Sequence, residues 1–308
     1  MTASKNLAVS IKQRLLNLSR ERGEDFNLIL TRYGVERLLY RLSCSGHRDE
    51  FVLKGAMLFH LWSDVPHRPT RDVDLLGEGS PDVGRVGRVF REICITSVED
   101  DGIDFDPDTI RASRIRDDSE YHGVRVRIEG WLGEARVPVQ VDVGFGDAVI
   151  PAPETVEFPV LLDQSIPKLR AYRRETVVAE KLQAMVDLGI ANSRMKDFYD
   201  LRYFASRFAF DGSVLLAAIQ STFRRRGETS PVETPIALTA AFANDDSKQE
   251  QWVAFMRRSK LGEEGLTLNE VVEFLAEFLQ PPLVALIVGE SFDLTWPPGG
   301  PWQTSRAE

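Results

Sequence analysis

A short apolar strand that carries two carboxylates restricts what this chain can become. The stretch Phe51–Gly77, FVLKGAMLFHLWSDVPHRPTRDVDLLG, reads as a strand over Phe51–Leu53, a break at Lys54-Gly55, an apolar segment over Ala56–Trp62 able to form a helix, a proline-containing loop, and a strand over Arg71–Leu76. Side chains alternate along a strand, so Asp72 and Asp74 share one face while Val73 and Leu75 point to the other. Two carboxylates held that close disfavour each other's ionisation unless a cation neutralises them, and a hard divalent ion is suited to the task. Magnesium is commonly held by one or two carboxylates, with substrate phosphates and water completing its shell. The pattern suggests phosphoryl chemistry. The competing reading is an edge strand with a solvated acidic face, the commoner fate of Asp-x-Asp taken alone.

Two further segments bear on that choice. Gly55 follows a strand and precedes an apolar segment, so its bare backbone could let a triphosphate approach a helix N-terminus. Thr70 adds a hydroxyl two residues before Asp72. Downstream, Val137, Val139, Val141 and Val143 form one apolar face, which puts Asp142 on the opposite face with Gln140. A Gly, an Asp-x-Asp pair and a later Asp on a second strand resemble the polymerase-β-like nucleotidyltransferases. In that superfamily three carboxylates hold two metal ions that align an attacking hydroxyl with the α-phosphorus.

The helical run Glu175–Gly189, ETVVAEKLQAMVDLG, followed by Asn192–Leu201, NSRMKDFYDL, resembles the AbiEii/AbiGii toxin family, as do Leu38–Leu42 and Phe51–Ala56. These are nucleotidyltransferase-like toxins of abortive-infection and type IV toxin–antitoxin systems, similar to the mycobacterial MenT toxins, some of which add nucleotides to the 3′ end of tRNA. The resemblance implies that Asp72 and Asp74 are the metal pair, that Lys181 is an essential lysine, and that Asp197 is the acid of a Lys-Asp element. It implies Mg2+ as cofactor and a nucleoside triphosphate as substrate, with tRNA as acceptor and a cognate antitoxin protein as partner. Asp142 would complete the metal site or deprotonate the attacking hydroxyl. Gly55 and Thr70 would meet the triphosphate, with Lys54 and Arg71 beside them as further nucleotide-binding residues. The chain departs from the family in having Gly55-Ala56 where Gly-Ser or Gly-Gly is frequent, and in a longer connection from Gly55 to Asp72. Alternatives within this reading are NMP transfer to a protein side chain, and a non-catalytic nucleotide-binding module that acts on a partner.

A chain of 308 residues suggests more than one compact unit. We expect N-terminal helices over 1–50, an α/β (α+β) nucleotidyltransferase core with a small mixed sheet over 51–165, and a helical C-terminal domain over 166–308. His122–Gly130 alternates, with Val124, Val126 and Ile128 on one face and Arg125, Arg127 and Glu129 on the other. It should pair antiparallel with Val137–Val143 across the turn at Gly133-Glu134-Ala135. Glu99–Asp108 reads as a solvated acidic turn. Its Asp104-x-Asp106-x-Asp108 is not an EF-hand loop, because Thr109 and Ile115 stand where that loop needs Gly and Glu. From Lys168 to about Leu279 the pattern is helical.

Lys181 falls on the same stripe as Val178, Leu182 and Met185. It could reach an anion such as phosphate, or snorkel from the edge of the stripe. Asp197 and Asp200 share a helix face; one could orient Lys181 or take a proton, and the other could pair with Arg194 or Lys196. Lys+Arg 38 against Asp+Glu 47, a net charge of −9, argues against a broadly basic nucleic-acid coat. Local runs at Arg170, Arg173 and Arg174, at Arg224–Arg226, and at Arg257, Arg258 and Lys260 are the candidate polynucleotide contacts. Cys44 and Cys94 form no metal or disulfide pattern. With neither a signal segment nor an apolar run near the roughly 18 residues of a membrane helix, a cytoplasmic protein without membrane contact is expected. Trp296 and Trp302 should pack the proline-rich tail onto the body.

Overall fold

The computed structural model describes residues 2–62, 70, 72–115, 123–146, 149–225, 233–259 and 265–304. The chain is a mixed α/β protein that divides into two compact units, Met1–Asp147 with Glu154–Tyr172, and Ala148–Pro153 with Arg173–Glu308.

The first unit opens with helices α1 (Thr2–Arg22) and α2 (Phe26–Cys44). Asp25 caps α2 by accepting a hydrogen bond from the Leu28 N–H at 3.1 Å, which satisfies one of the open donors of the first turn. Strand β1 (Phe51–Lys54), a 3-10 turn (Gly55–Leu58) and the short helix α3 (Phe59–Trp62) follow. Next come β2 (Asp72–Gly77), α4 (Val83–Cys94), β3 (Ile103–Ile115), β4 (Gly123–Leu132), β5 (Ala135–Phe145), β6 (Glu154–Glu157) and β7 (Lys168–Ala171). These seven strands make one mixed sheet in the order β3-β4-β5-β2-β1-β7-β6. β2 runs parallel to β5 and antiparallel to β1, and β1 runs parallel to β7.

One face of the sheet is apolar because the alternating residues Val73, Leu75, Val124, Val126, Ile128, Val137, Val139, Val141 and Val143 are all buried there. α2 lies on this face so closely that a Cβ on Gly34 would overlap the side chain of Val137. α4 lies on it beside Ala112. The opposite face carries the polar members of the same strands, and the candidate site is built there.

Two segments differ from the sequence reading. The acidic stretch Glu99–Asp108 is not a solvated turn throughout: its second half is the start of β3, and Asp101 is buried, holding Arg41 through hydrogen bonds of 2.7 and 3.0 Å. Pro107 is tolerated because β3 is an edge strand whose register with β4 shifts between Asp106 and Arg111. Lys168–Ala171, read as the start of a helical region, is a strand, drawn into the sheet beside β1.

The second unit contains α5 (Arg174–Leu188), α6 (Met195–Arg207), β8 (Phe210–Asp211), α7 (Gly212–Arg225), α8 (Ala240–Ala243), α9 (Asp246–Ser259), α10 (Leu268–Val288), β9 (Leu294–Trp296) and β10 (Gln303–Thr304). α10 starts from a capping box, in which Thr267 and Glu270 satisfy each other's backbone donors. It is long and apolar enough to cross a membrane by length and composition, which amends the expectation of no such run. Glu273 and Glu277 interrupt it, and Val271, Val272, Leu275, Phe278 and Leu279 are buried in the unit. The tail packs as expected: Trp296 donates to the Ala205 carbonyl at 2.6 Å, and Trp302 to the Phe278 carbonyl at 2.9 Å.

Candidate active site

Cross-strand register assembles the candidate residues on the face opposite α2 and α4. β2 and β5 pair with Asp74 opposite Asp142 and Asp72 opposite Gln140. β4 adds Arg125 opposite Asp142 and Arg127 opposite Gln140, β3 adds Ser113 opposite Arg125, and β1 adds Lys54 opposite Asp74. Residues opposite one another in a pleated sheet project to the same side. A single row across five strands therefore reads Ser113, Arg125, Asp142, Asp74, Lys54. Asp72 lies on the next row and is exposed, whereas Asp74 is half-buried.

The Asp142 carboxylate is gripped by one guanidinium. Arg125 Nε donates to Oδ1 at 2.8 Å and Nη2 to Oδ2 at 2.7 Å, the parallel fork that gives such pairs their strength. The bonds to Asp142 act first to raise the Arg125 pKa above its ordinary value, with partial burial opposing and the charges of Asp142, Asp72 and Asp74 adding to the rise. Arg125 is thus a fixed cation in the field of all three carboxylates. Alternation along His122–Gly130 puts it on this face but points to no role for it there. The signal was the tight turn at Gly133-Glu134, where Leu132 pairs with Ala135 and so sets Arg125 against Asp142.

Gly55 has a left-handed φ of +72°, and a Cβ there would overlap the Asp74 carboxylate. The glycine lets Asp74 lie against the backbone that follows β1. Among the described residues, a 3-10 turn and the four-residue α3 come after it, in place of the long helix that would offer its N-terminus to a triphosphate. The Lys54 ammonium sits 5.3 Å from the centre of the Tyr172 ring. The Thr70 hydroxyl is 3.5 Å from the Asp72 carbonyl oxygen. Arg71 lies outside the described residues.

The donor set suits a hard dication only in part. Among the described residues no three His, Cys, Asp or Glu side chains gather as a ligand set. Asp72 and Asp74 supply carboxylate oxygens, and the room left by Gly55 lets Asp74 approach; Asp142 has both oxygens engaged by Arg125. What fits is a two-carboxylate site of the kind magnesium shares with phosphates and water.

In the second unit, Lys181 on α5 reaches across to α6. Its Nζ donates to Asp197 Oδ1 at 2.6 Å and to Asp200 Oδ2 at 2.8 Å. The lysine side chain is 13% exposed and the two carboxylates 1% and 0%. Arg194 Nε lies 2.7 Å from Asp197 Oδ2 without hydrogen-bond alignment, so it contributes charge more than a directed bond. Both aspartates thus hold Lys181, where the sequence left open which one would.

Of the basic runs, Arg170 is committed to Glu78 and the Asp49 carbonyl, and the Arg174 guanidinium lies 4.4 Å from the centre of the Phe208 ring. Arg224, Arg225, Arg257 and Arg258 are exposed, and Arg226 and Lys260 lie outside the described residues. Two cavities, of about 410 Å³ beside Arg41 and Asp101 and about 560 Å³ beside Pro281 and Val284, contain none of the candidate residues.

The mixed sheet thus carries Asp72 and Asp74 at the start of β2, with Asp142 in register on the neighbouring strand β5. The family described as "Nucleotidyl transferase AbiEii toxin, Type IV TA system" matches residues 37–276, and the chain belongs to it. Two solved Helicobacter pylori structures are similar at 15% identity. One, described as "putative nucleotidyltransferase from H. pylori", has a TM-score of 0.48, with 85% of this chain and 97% of that one covered. The other, JHP933, has a TM-score of 0.45, with 84% and 94% covered. No curated protein matches the sequence.

Proposed function

We propose that the chain is the toxin of a type IV toxin–antitoxin pair and acts as a Mg2+-dependent nucleotidyltransferase in the cytoplasm. It moves NMP from a nucleoside triphosphate to an acceptor, the 3′ end of tRNA, which blocks translation and arrests growth until the cognate antitoxin intervenes. The observation that carries this reading is the row in which Asp74 stands opposite Asp142 with Asp72 two residues away, in a chain of a nucleotidyltransferase toxin family.

In this mechanism the 3′ hydroxyl oxygen bonds to the α-phosphorus, the bond from that phosphorus to the β-bridging oxygen breaks, pyrophosphate leaves, and the hydroxyl proton passes to solvent. Asp72 and Asp74 would hold the dication, which when bound screens the phosphates and makes the attacking hydroxyl more acidic. Gly55 keeps room for the Asp74 carboxylate. Lys54 and Thr70 line the approach to the pair and meet the triphosphate, with Arg71 next in sequence to Asp72. Lys181 and Asp197 form the second functional cluster of the reading, supported by the cost of burying a lysine with two carboxylates for no purpose.

Induced expression in a bacterial host tests the proposal. Asp72→Ala, at an exposed position, should abolish growth arrest while the chain stays folded by circular dichroism. A soluble Asp72→Ala chain as toxic as the parent would overturn catalysis and favour a toxin that acts by binding alone.

A further inference from the structure

Three carboxylates facing one side of a sheet need compensating charge, and beside Lys54 opposite Asp74 the sheet places Arg125 opposite Asp142. Arg125 spends Nε and Nη2 on Asp142, and its Nη1 has no hydrogen-bond partner among the described residues. The side chain is 33% exposed and the Asp142 side chain 18%, so the pair sits at the surface of the sheet face with the guanidinium's remaining edge accessible. A guanidinium can grip a carboxylate with one edge and offer donors from the other, which a lysine ammonium cannot do in fixed geometry. A carboxylate already held at 2.7 and 2.8 Å would have to release Arg125 before turning both oxygens to a metal ion.

We infer that Asp142 is a positioning residue for Arg125 and not a third metal carboxylate, and that Arg125 presents its Nη1 edge to a phosphate oxygen of the nucleoside triphosphate. The inference rests on the reading of Asp72 and Asp74 as the metal pair, and it assigns them different work from Asp142. It also makes metal and nucleotide mutually dependent. Without nucleotide, the Arg125 charge competes with a dication for the field of Asp72 and Asp74. With nucleotide bound, the phosphates take up that charge and the pair is released to the metal.

The test is direct binding to the purified full-length chain, without turnover. Mn2+ alone is titrated by electron paramagnetic resonance, and each of the four common NTPs is titrated in EDTA by calorimetry. Arg125→Ala should tighten Mn2+ binding several-fold and weaken metal-free NTP binding by ~tenfold or more, the scale of a lost charged hydrogen bond. Arg125→Lys, which keeps the charge but not the fork, should leave Mn2+ binding near the parent's and still weaken the NTP. Weaker Mn2+ binding in Arg125→Ala, or unchanged NTP binding in both variants, would overturn the inference. If Arg125→Ala fails to fold, Arg125→Lys decides by the NTP titration. Asp72→Asn separates the two levels: it should lose Mn2+ binding, and if it does not, the metal-pair reading falls and this inference with it.

Discussion

Asp142 faces Asp74 across two parallel strands while its carboxylate is held by Arg125 from the third, so adjacent acids on one row have different neighbours. The difference should appear in kinetics. Asp142→Asn loses the charge that orders Arg125, and it should raise KM for the NTP by about tenfold with a smaller effect on kcat. Asp74→Asn should act mainly on kcat. Initial rates at varied NTP for the two variants check this.

Gly55→Ala should be the most damaging single-methyl change in the first unit. It strains a left-handed backbone by about 1–2 kcal/mol and pushes its Cβ into the Asp74 carboxylate. A Tm lowered by a few degrees with activity lost almost entirely is expected. Thermal melts and the transfer assay on the same preparation read both.

The Lys181 cluster has a structural as well as a functional component. Lys181→Met removes the ammonium that buried Asp197 and Asp200 share and should cost on the order of 3–5 kcal/mol. Lys181→Arg should retain much of the stability. Urea unfolding of both variants separates loss of toxicity through misfolding from loss through chemistry.

Glu36 on α2 is fully buried, and burial pushes its carboxyl up to about 7, against the pull of the Leu161 N–H and Arg32. Its folded pKa therefore lies above its unfolded value of 4.5, so the folded chain holds the proton longer. Stability should be greatest below about pH 4.5 as far as this group is concerned, fall as pH rises toward 7, and level off above, a change of about 3 kcal/mol. Glu36→Gln should remove that slope and unfold at higher urea than the parent at pH 8.

What could be read from the sequence followed the periodicity of side chains. Alternation in Arg71–Leu76, His122–Gly130 and Val137–Val143 put Asp72, Asp74, Asp142 and Arg125 on polar faces, and spacing of three and four put Lys181 on a buried stripe. Pairing across long separations was not legible in the same way. Asp74 meets Asp142 only because β2 and β5 are parallel neighbours, with α4, β3 and β4 intervening in the chain. The four residues Lys168–Ala171 carry too short a pattern to separate strand from helix, and sheet pairing decided. Asp101 looked solvated among its acidic neighbours, and its burial depends on Arg41, sixty residues away.

The most direct measurement of the central claim is transfer itself. The purified chain is incubated with Mg2+, each α-labelled NTP in turn and total bacterial tRNA, beside Asp74→Asn, and the label is followed on a denaturing gel. The account predicts label on tRNA from the parent chain, none from Asp74→Asn and none with EDTA. Equal labelling by the Asp74→Asn variant, or label on protein and none on tRNA, would contradict it.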